Sequence, residues 1–468
     1  MKKITTGTKL CYATGNLGYG VISQTMTTFI MFFGTSVLGI RGSLVGLCIA
    51  ISAFWDGLSD PLVGYISDLT KSKFWGKRLG FLFFGTIGMV IFNILLWSVP
   101  NNFSEMGKFV WLLVVLIGLE TSNTCFATPY VALGIDIAPG YNEQSILQGY
   151  KTVSFILGMV LPSLLMMVFM PAGNEMAQLM QSGYINISYI TSALGLVCGA
   201  VCILGTKKRA KSMPIYKTKQ KEKNAFFKVF YNFFLTLKRK NYGAIILSYS
   251  VALISAAFLT SIGMHLFTYC FHFNTTQIPI LMTGLFLGAI FSQPFWIFLS
   301  KRIDKKPALK IAYLVILIGI FFAFWVFVFR ENLGVVAAFW IILPCIVFCG
   351  FGTGALYSLP VSMFADNVNM DKLRTEENNS ATYSGYMTLA YNVANSVALL
   401  VIGVLLDIIK FNPSSPVQAI KVQNALGVIV FGGCAICIAI SMLILNKYSL
   451  KRSDILKQQL ISKQKNKK

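Results

Sequence analysis

Three carboxylates sit where a carboxylate is costly. Asp56 and Asp60, in AISAFWDGLSDPLVGY, and Glu120, in LLVVLIGLETSNTCF, fall well inside otherwise apolar stretches. A charge at membrane depth costs about 3 kcal/mol or more, so such groups face a bundle interior, pair with one another, or mark an ion or substrate path. Asp56 and Asp60 are four residues apart, which puts both on one helix face with Cβ atoms about 6 Å apart. Carboxylates that close repel, so the pair is expected to hold a proton or to bind a small hard cation such as Na⁺ through oxygen ligands. Pro61 follows Asp60 directly and cannot donate a helical hydrogen bond, which frees a carbonyl one turn back. His265 is the histidine well within an apolar stretch; it could titrate near neutral pH, though a lone histidine is more often a packing residue. The ten cysteines sit almost wholly inside apolar runs and read as small packing residues, not as disulfides or metal ligands.

The elements that hold these groups are membrane helices. The 468 residues are 55% hydrophobic and 12% charged, with 38 Phe, too little polar surface for a water-soluble globule. Apolar runs near the length needed to cross about 30 Å of hydrocarbon fall near 10–38, 43–69, 79–99, 109–134, 147–171, 183–205, 242–271, 276–300, 308–329, 335–365, 381–407 and 423–446. The expected fold class is therefore an all-α membrane protein of twelve transmembrane helices. The first run exceeds a signal-peptide core and is expected to be retained.

The formal charge of +23 would suit nucleic acid, but its placement points to topology. With the amino terminus inside, 35 of the 40 basic residues fall on the cytoplasmic side, and only Arg41, Lys108, Arg330, Lys410 and Lys421 fall outside it. That asymmetry follows the positive-inside rule. Both termini are expected in the cytoplasm of a multi-pass protein of the cell membrane, with no nucleic-acid partner.

One long polar interruption divides the spans six and six. The expected organisation is an N-terminal six-helix bundle (1–205), a basic cytoplasmic middle loop (206–241), a C-terminal six-helix bundle (242–446) and a basic cytoplasmic tail (447–468). A weak internal echo supports two bundles: GYISDLTKSKFWGKR follows the second span and FLSKRIDKKPALK the eighth. A six-plus-six repeat is a transporter plan. The loop resembles the cytoplasmic loop motif of the major facilitator superfamily, in which an acidic residue and clustered bases tie neighbouring helices. The resemblance implies that Asp68, Lys77 and Arg78 form a conformational latch.

A closer resemblance runs over nearly the full chain. AFWDGLSDPLVGYISDLTKSKFWGKR, KLCYATGNLGYG, TPYVALGIDIAPGYNEQSILQGYK and MFADNVNMDKLRTEENNSATYSG resemble, in order, segments of the glycoside–pentoside–hexuronide:cation symporters, the melibiose permease group. The resemblance implies a cation site at Asp56 and Asp60, joined by Thr124, that takes Na⁺ or H⁺, with Li⁺ possible. It also implies a sugar-site contribution from Lys151. Two aspartates that grip sugar hydroxyls in melibiose permease align with Gly20 and Ala127, and the lysine of that family's eleventh helix aligns with Asn392 or Tyr391. Asn16, Tyr19, Thr388, Tyr391 and Asn392 remain as polar groups for a substrate pocket between the bundles. Glu120 lies four residues before Thr124 and seven before Ala127, close enough in helical phase to supply a carboxylate from a neighbouring turn.

These features predict a non-enzymatic carrier: cation-coupled symport of a small solute, with carbohydrate as the first expectation, by alternating access. No Walker loop or GxSxG elbow is present, so ATP-driven transport and acyl-transfer chemistry are not expected. No cofactor is expected beyond the coupling ion; the partners are solute, cation and bilayer, and the protein is read as a monomer. A lysophospholipid or other amphiphile is the alternative cargo. A non-transporting sensor or scaffold is the alternative class, against which stands the cost of keeping two buried carboxylates.

Overall fold

The computed structural model describes residues 4–70, 78–138, 141–170, 177–211, 233–375, 380–412, 415, 417–450 and 453–454. Within them the chain forms twelve long helical segments. In the N-terminal half these are α1 (Thr6–Phe32, extended by a wide turn at Phe33–Val37), α2 (Gly42–Leu69), α3 (Leu79–Trp97), α4 (Glu105–Ile137), α5 (Tyr141–Phe169) and α6 (Gln181–Lys211). In the C-terminal half they are α7 (Lys240–His265, extended by Leu266–Cys270), α8 (Gln277–Ile303, broken near Ser292), α9 (Lys305–Val328), α10 (Arg330–Thr375), α11 (Ser380–Ile408) and α12 (Ile420–Leu445).

Eleven of these are long and apolar enough to cross a membrane, and the twelfth, α1, is long enough but more polar. The reason is its position. Asn16, Gln24, Thr25 and Thr28 of α1 are all buried, with Gln24 Nε2 donating to Thr28 Oγ1 at 2.8 Å, so its polar groups are satisfied inside the protein and need no apolar cover. The predicted spans otherwise match in order, most of them running a few residues longer. The residues assigned to the start of the middle loop continue α6 to Lys211, where Lys208, Arg209 and Lys211 occupy the last turn and suit the negative end of the helix dipole. Much of the remaining middle loop (212–232) and of the basic tail (451–452 and 455–468) lies outside the described residues.

Within the N-terminal half α1 packs on α5 and α6, α3 on α4 and α6, and α2 on α4. In the C-terminal half α10 packs on α8 and α9, and α7 on α11 and α12. The main pairs that cross between halves are α2 with α11, α1 with α7, and α5 with α8.

Buried polar residues pin the helices to one another. Asn93 of α3 is fully buried; its Nδ2 donates towards Ser188 O, Thr191 Oγ1 and Ser192 Oγ of α6 at 2.9–3.3 Å, and its Oδ1 accepts from Trp97 Nε1 at 3.2 Å. Interhelical hydrogen bonds in membranes average about 0.6 kcal/mol. Asn93→Leu removes several at once and leaves the Trp97 N–H unpaired. We therefore expect it to lower stability by about 1–3 kcal/mol, read as a fall in the thermal midpoint of the purified protein.

Candidate functional site

The centre of the site is a ladder between two parallel helices. Thr124 Oγ1 donates to Asp56 Oδ1 at 2.8 Å, and one turn on Thr128 Oγ1 donates to Asp60 Oδ1 at 2.9 Å. Both rungs join residues 68 apart, so two i, i+4 pairs sit in register. Ser59 Oγ lies 3.0 Å from Thr124 Oγ1. The second rung adjoins a proline on both helices: Pro61 follows Asp60 and Pro129 follows Thr128, and each proline lacks the N–H that would otherwise occupy a carbonyl one turn back. The result is a cluster of carboxylate and hydroxyl oxygens, the donor set that a hard cation takes.

The other half of the protein reaches this cluster through Asn392 of α11, whose Nδ2 lies 3.4 Å from Asp56 Oδ2. Asp56 therefore touches α4 and α11 at once. A group whose charge state changes contacts on both halves can bias how they sit, which is what ion coupling requires.

Glu120 lies one turn before Thr124 and is partly buried. Asn123 Nδ2 donates to its Oε2 at 3.0 Å, while Asn123 itself is buried and its Oδ1 has no hydrogen-bond partner among the described residues. Beside it Trp55 Nε1 donates to Thr121 Oγ1 at 2.8 Å, a second link between α2 and α4.

Asn16 and Lys151 fall at a different junction, among α1, α4 and α5. Asn16 Nδ2 donates to the Lys151 carbonyl at 3.1 Å, and Lys151 Nζ lies 5.6 Å from the centre of the Tyr130 ring. Tyr130 stacks on Tyr12 at 4.3 Å, and each hydroxyl donates to the other's backbone carbonyl. Tyr19 lies between Phe126 and Phe155, 6.3 and 6.4 Å away. A Cβ at Gly20 would come within 3.0 Å of the Phe155 ring, so the room an aspartate would need there is filled by Phe155. On the opposite half Tyr391 lies 6.4 Å from Tyr249, and Thr388 is exposed one turn before Asn392. Thus Asp56, Asp60, Thr124 and Asn392 are drawn together, with the Tyr19 hydroxyl close enough to feel Asp56, Asp60 and Glu120 and that of Tyr391 close enough to feel Asp56, while Asn16 and Lys151 meet at the neighbouring junction.

Of the latch, Lys77 and the Asp68 side chain lie outside the described residues. Arg78 is well placed: its Nη1 donates to Ser67 Oγ at 2.7 Å and its Nε to Asp136 Oδ2 at 3.3 Å, so it joins α2, α3 and α4. The second half repeats the device, with Lys305 Nζ on Asp366 Oδ2 at 2.5 Å between α9 and α10. Thr128, Asp136 and Asp366 were not singled out from the sequence. Thr128 had a signal, its spacing of four from Thr124 matching that of Asp56 and Asp60.

A family model described as MFS/sugar transport protein matches residues 11–452. An uncharacterized symporter of Synechocystis sp. is 24% identical, over 89% of this chain and 88% of that protein. A sodium-dependent lysophosphatidylcholine symporter of Danio rerio is 23% identical, over 96% of this chain and 86% of its own length. Among solved structures, the D-xylose–proton symporter superposes with a TM-score of 0.67 at 12% identity, covering 95% of this chain and 98% of the other. That likeness fixes the fold: an all-helical, multi-pass transporter architecture.

Proposed function

We propose that this chain, which belongs to the MFS/sugar transport protein family, is a cation-coupled symporter of a small solute working by alternating access. The observation that carries the proposal is the paired ladder of Asp56 with Thr124 and Asp60 with Thr128, touched from the other half by Asn392. In this reading Na⁺ or H⁺ occupies the ladder, and Arg78, with Asp68 and Lys77, holds the inner ends of α2 to α4 together while the halves rock. The finer family is that of the glycoside–pentoside–hexuronide:cation symporters, and the protein works as a monomer in the cell membrane with both termini in the cytoplasm.

The first cargo to test is a sugar or glycoside. Tyr19, held between two aromatic rings, offers its hydroxyl, and Asn16, Glu120, Lys151, Thr388, Tyr391 and Asn392 offer further hydrogen-bonding groups. A lysophospholipid is the second cargo. The lysophosphatidylcholine symporter of Danio rerio is similar over 96% of this chain, and Phe155 occupies the place of a sugar-gripping carboxylate.

The test is uptake into proteoliposomes across labelled glycosides, pentoses, uronides and lysolipids, each with and without an inward Na⁺ or H⁺ gradient. Concentrative uptake of one class that needs the gradient is expected. Uptake of none, or equilibration indifferent to both ions, would overturn the proposal.

A further inference from the structure

At the end of the molecule away from the basic loops, the two halves are held shut by contacts that the cation site does not involve. Helix α2 begins at Gly42 after Arg41, and Arg41 gives it no side-chain cap. The first N–H groups of a helix have no partner within it. Here the missing cap comes from the opposite half. Asp407, near the end of α11, accepts from Gly42 N on Oδ1 at 2.8 Å and from Ser43 N on Oδ2 at 3.0 Å. Both carboxylate oxygens are thus used on one helix N-terminus, where the dipole favours a negative charge. No basic side chain among the described residues lies within ion-pair distance of Asp407, so this contact is what balances its charge.

The packing around it admits little slack. A methyl group at Gly403 would run into the Gly42 carbonyl, and one at Gly46 would lie 2.7 Å from the Leu399 carbonyl. The backbones of α2 and α11 therefore touch directly, which is what allows a side chain as short as aspartate to reach across.

A second bond crosses the same seam. Thr35 Oγ1, at the end of α1, lies 2.7 Å from His265 Nε2 at the end of α7. Thr35 has one hydroxyl hydrogen, and Oγ1 also lies 2.8 Å from the Met31 carbonyl. Both bonds are made together when Thr35 donates to Met31 and the Nε2–H tautomer of His265 donates to Thr35. His265 is fully buried between Phe32 and Phe411, ring centres 5.0 and 5.3 Å away.

We propose that Asp407 is the latch of this end of the carrier, closing it by capping α2 from the other half, with the His265–Thr35 bond as its second tie. The proposal goes beyond the symport reading and rests on it only in that the halves rock. Because these contacts cross the seam, opening that end breaks them, and removing them biases the protein towards the open state.

The test reads accessibility without any solute, so it is independent of the uptake panel. A cysteine is placed by Ser36→Cys, buried at this seam beside Thr35, and its reaction with a polar maleimide is followed in purified protein, with the rate of protein lacking that change subtracted for the native cysteines. Adding Asp407→Asn, which keeps one acceptor but removes the charge, is expected to raise the rate about tenfold, equivalent to about 1.4 kcal/mol. Thr35→Val, nearly isosteric, is expected to raise it too, which keeps the test open if the Asp407 variant folds poorly. Unchanged reactivity in the variants that fold, with or without a lower melting temperature, would make Asp407 a helix cap and nothing more, and would overturn the latch.

Discussion

Asp56→Asn is expected to abolish cation stimulation of uptake, lowering the stimulated rate by about a hundredfold or more while leaving protein in the membrane. The substitution keeps shape and one acceptor for Thr124 but removes the charge on a side chain that touches both α4 and α11. Hydrogen bonds to a charged group are worth about 1.5–3 kcal/mol, and the attraction between carboxylate and bound cation adds to that in a site shielded from water. Together these exceed the roughly 2.7 kcal/mol that a hundredfold loss requires. Thr124→Val removes one neutral ligand and should weaken half-saturation by the cation by only about three- to thirtyfold. The ordering is the diagnostic result: a large loss at Asp56 and Asp60, a partial one at Thr124 and Thr128. Initial rates against cation concentration in proteoliposomes measure it, and an Asp56→Asn protein with unchanged cation half-saturation would place the site elsewhere.

Why Asp56 was visible in the sequence and its partners less so follows from what a sequence pattern encodes. Two carboxylates four apart in an apolar helix declare both a shared face and a cost. Thr128 is one turn from a residue already singled out, yet threonine is common in membrane helices and only its register against Asp60, 68 residues away, gives it meaning. That register depends on how α2 and α4 are rotated about their axes, which hydropathy does not fix. Asp407 was hidden for the same reason: its partners at Gly42 and Ser43 are backbone N–H groups more than 360 residues distant, and backbone donors leave no mark in the residue pattern. Arg78 was found through its loop motif, whereas its partner Asp136, 58 residues on, sits where a carboxylate at a helix end looks like ordinary surface. Counting helices by length gave twelve, while apolarity admits eleven, because α1 satisfies its polar groups inside the bundle.

Asn392→Lys is the substitution with the second large expected effect. In the resembling family a lysine of the eleventh helix aligns with Asn392 or Tyr391, and here Asn392 already lies against Asp56, at a long 3.4 Å. The α2 residue facing it is Gly57, which sets no side chain against Asn392; a methyl group there would stand 3.8 Å from the Asn392 Cβ. A lysine there places a fixed ammonium against the Asp56 carboxylate, an arrangement that competes directly with a mobile cation for the same oxygens. Cation half-saturation is therefore expected to rise by about a hundredfold, with coupled uptake falling accordingly. The mechanism makes a sharper demand on the double variant. If the lysine acts through Asp56, then in the Asp56→Asn background Asn392→Lys should lower the residual uptake no further, a strongly non-additive cycle. Additive losses would mean that Asn392 acts on the solute or on the α2–α11 packing, and that Asp56 does not carry the contact between the halves.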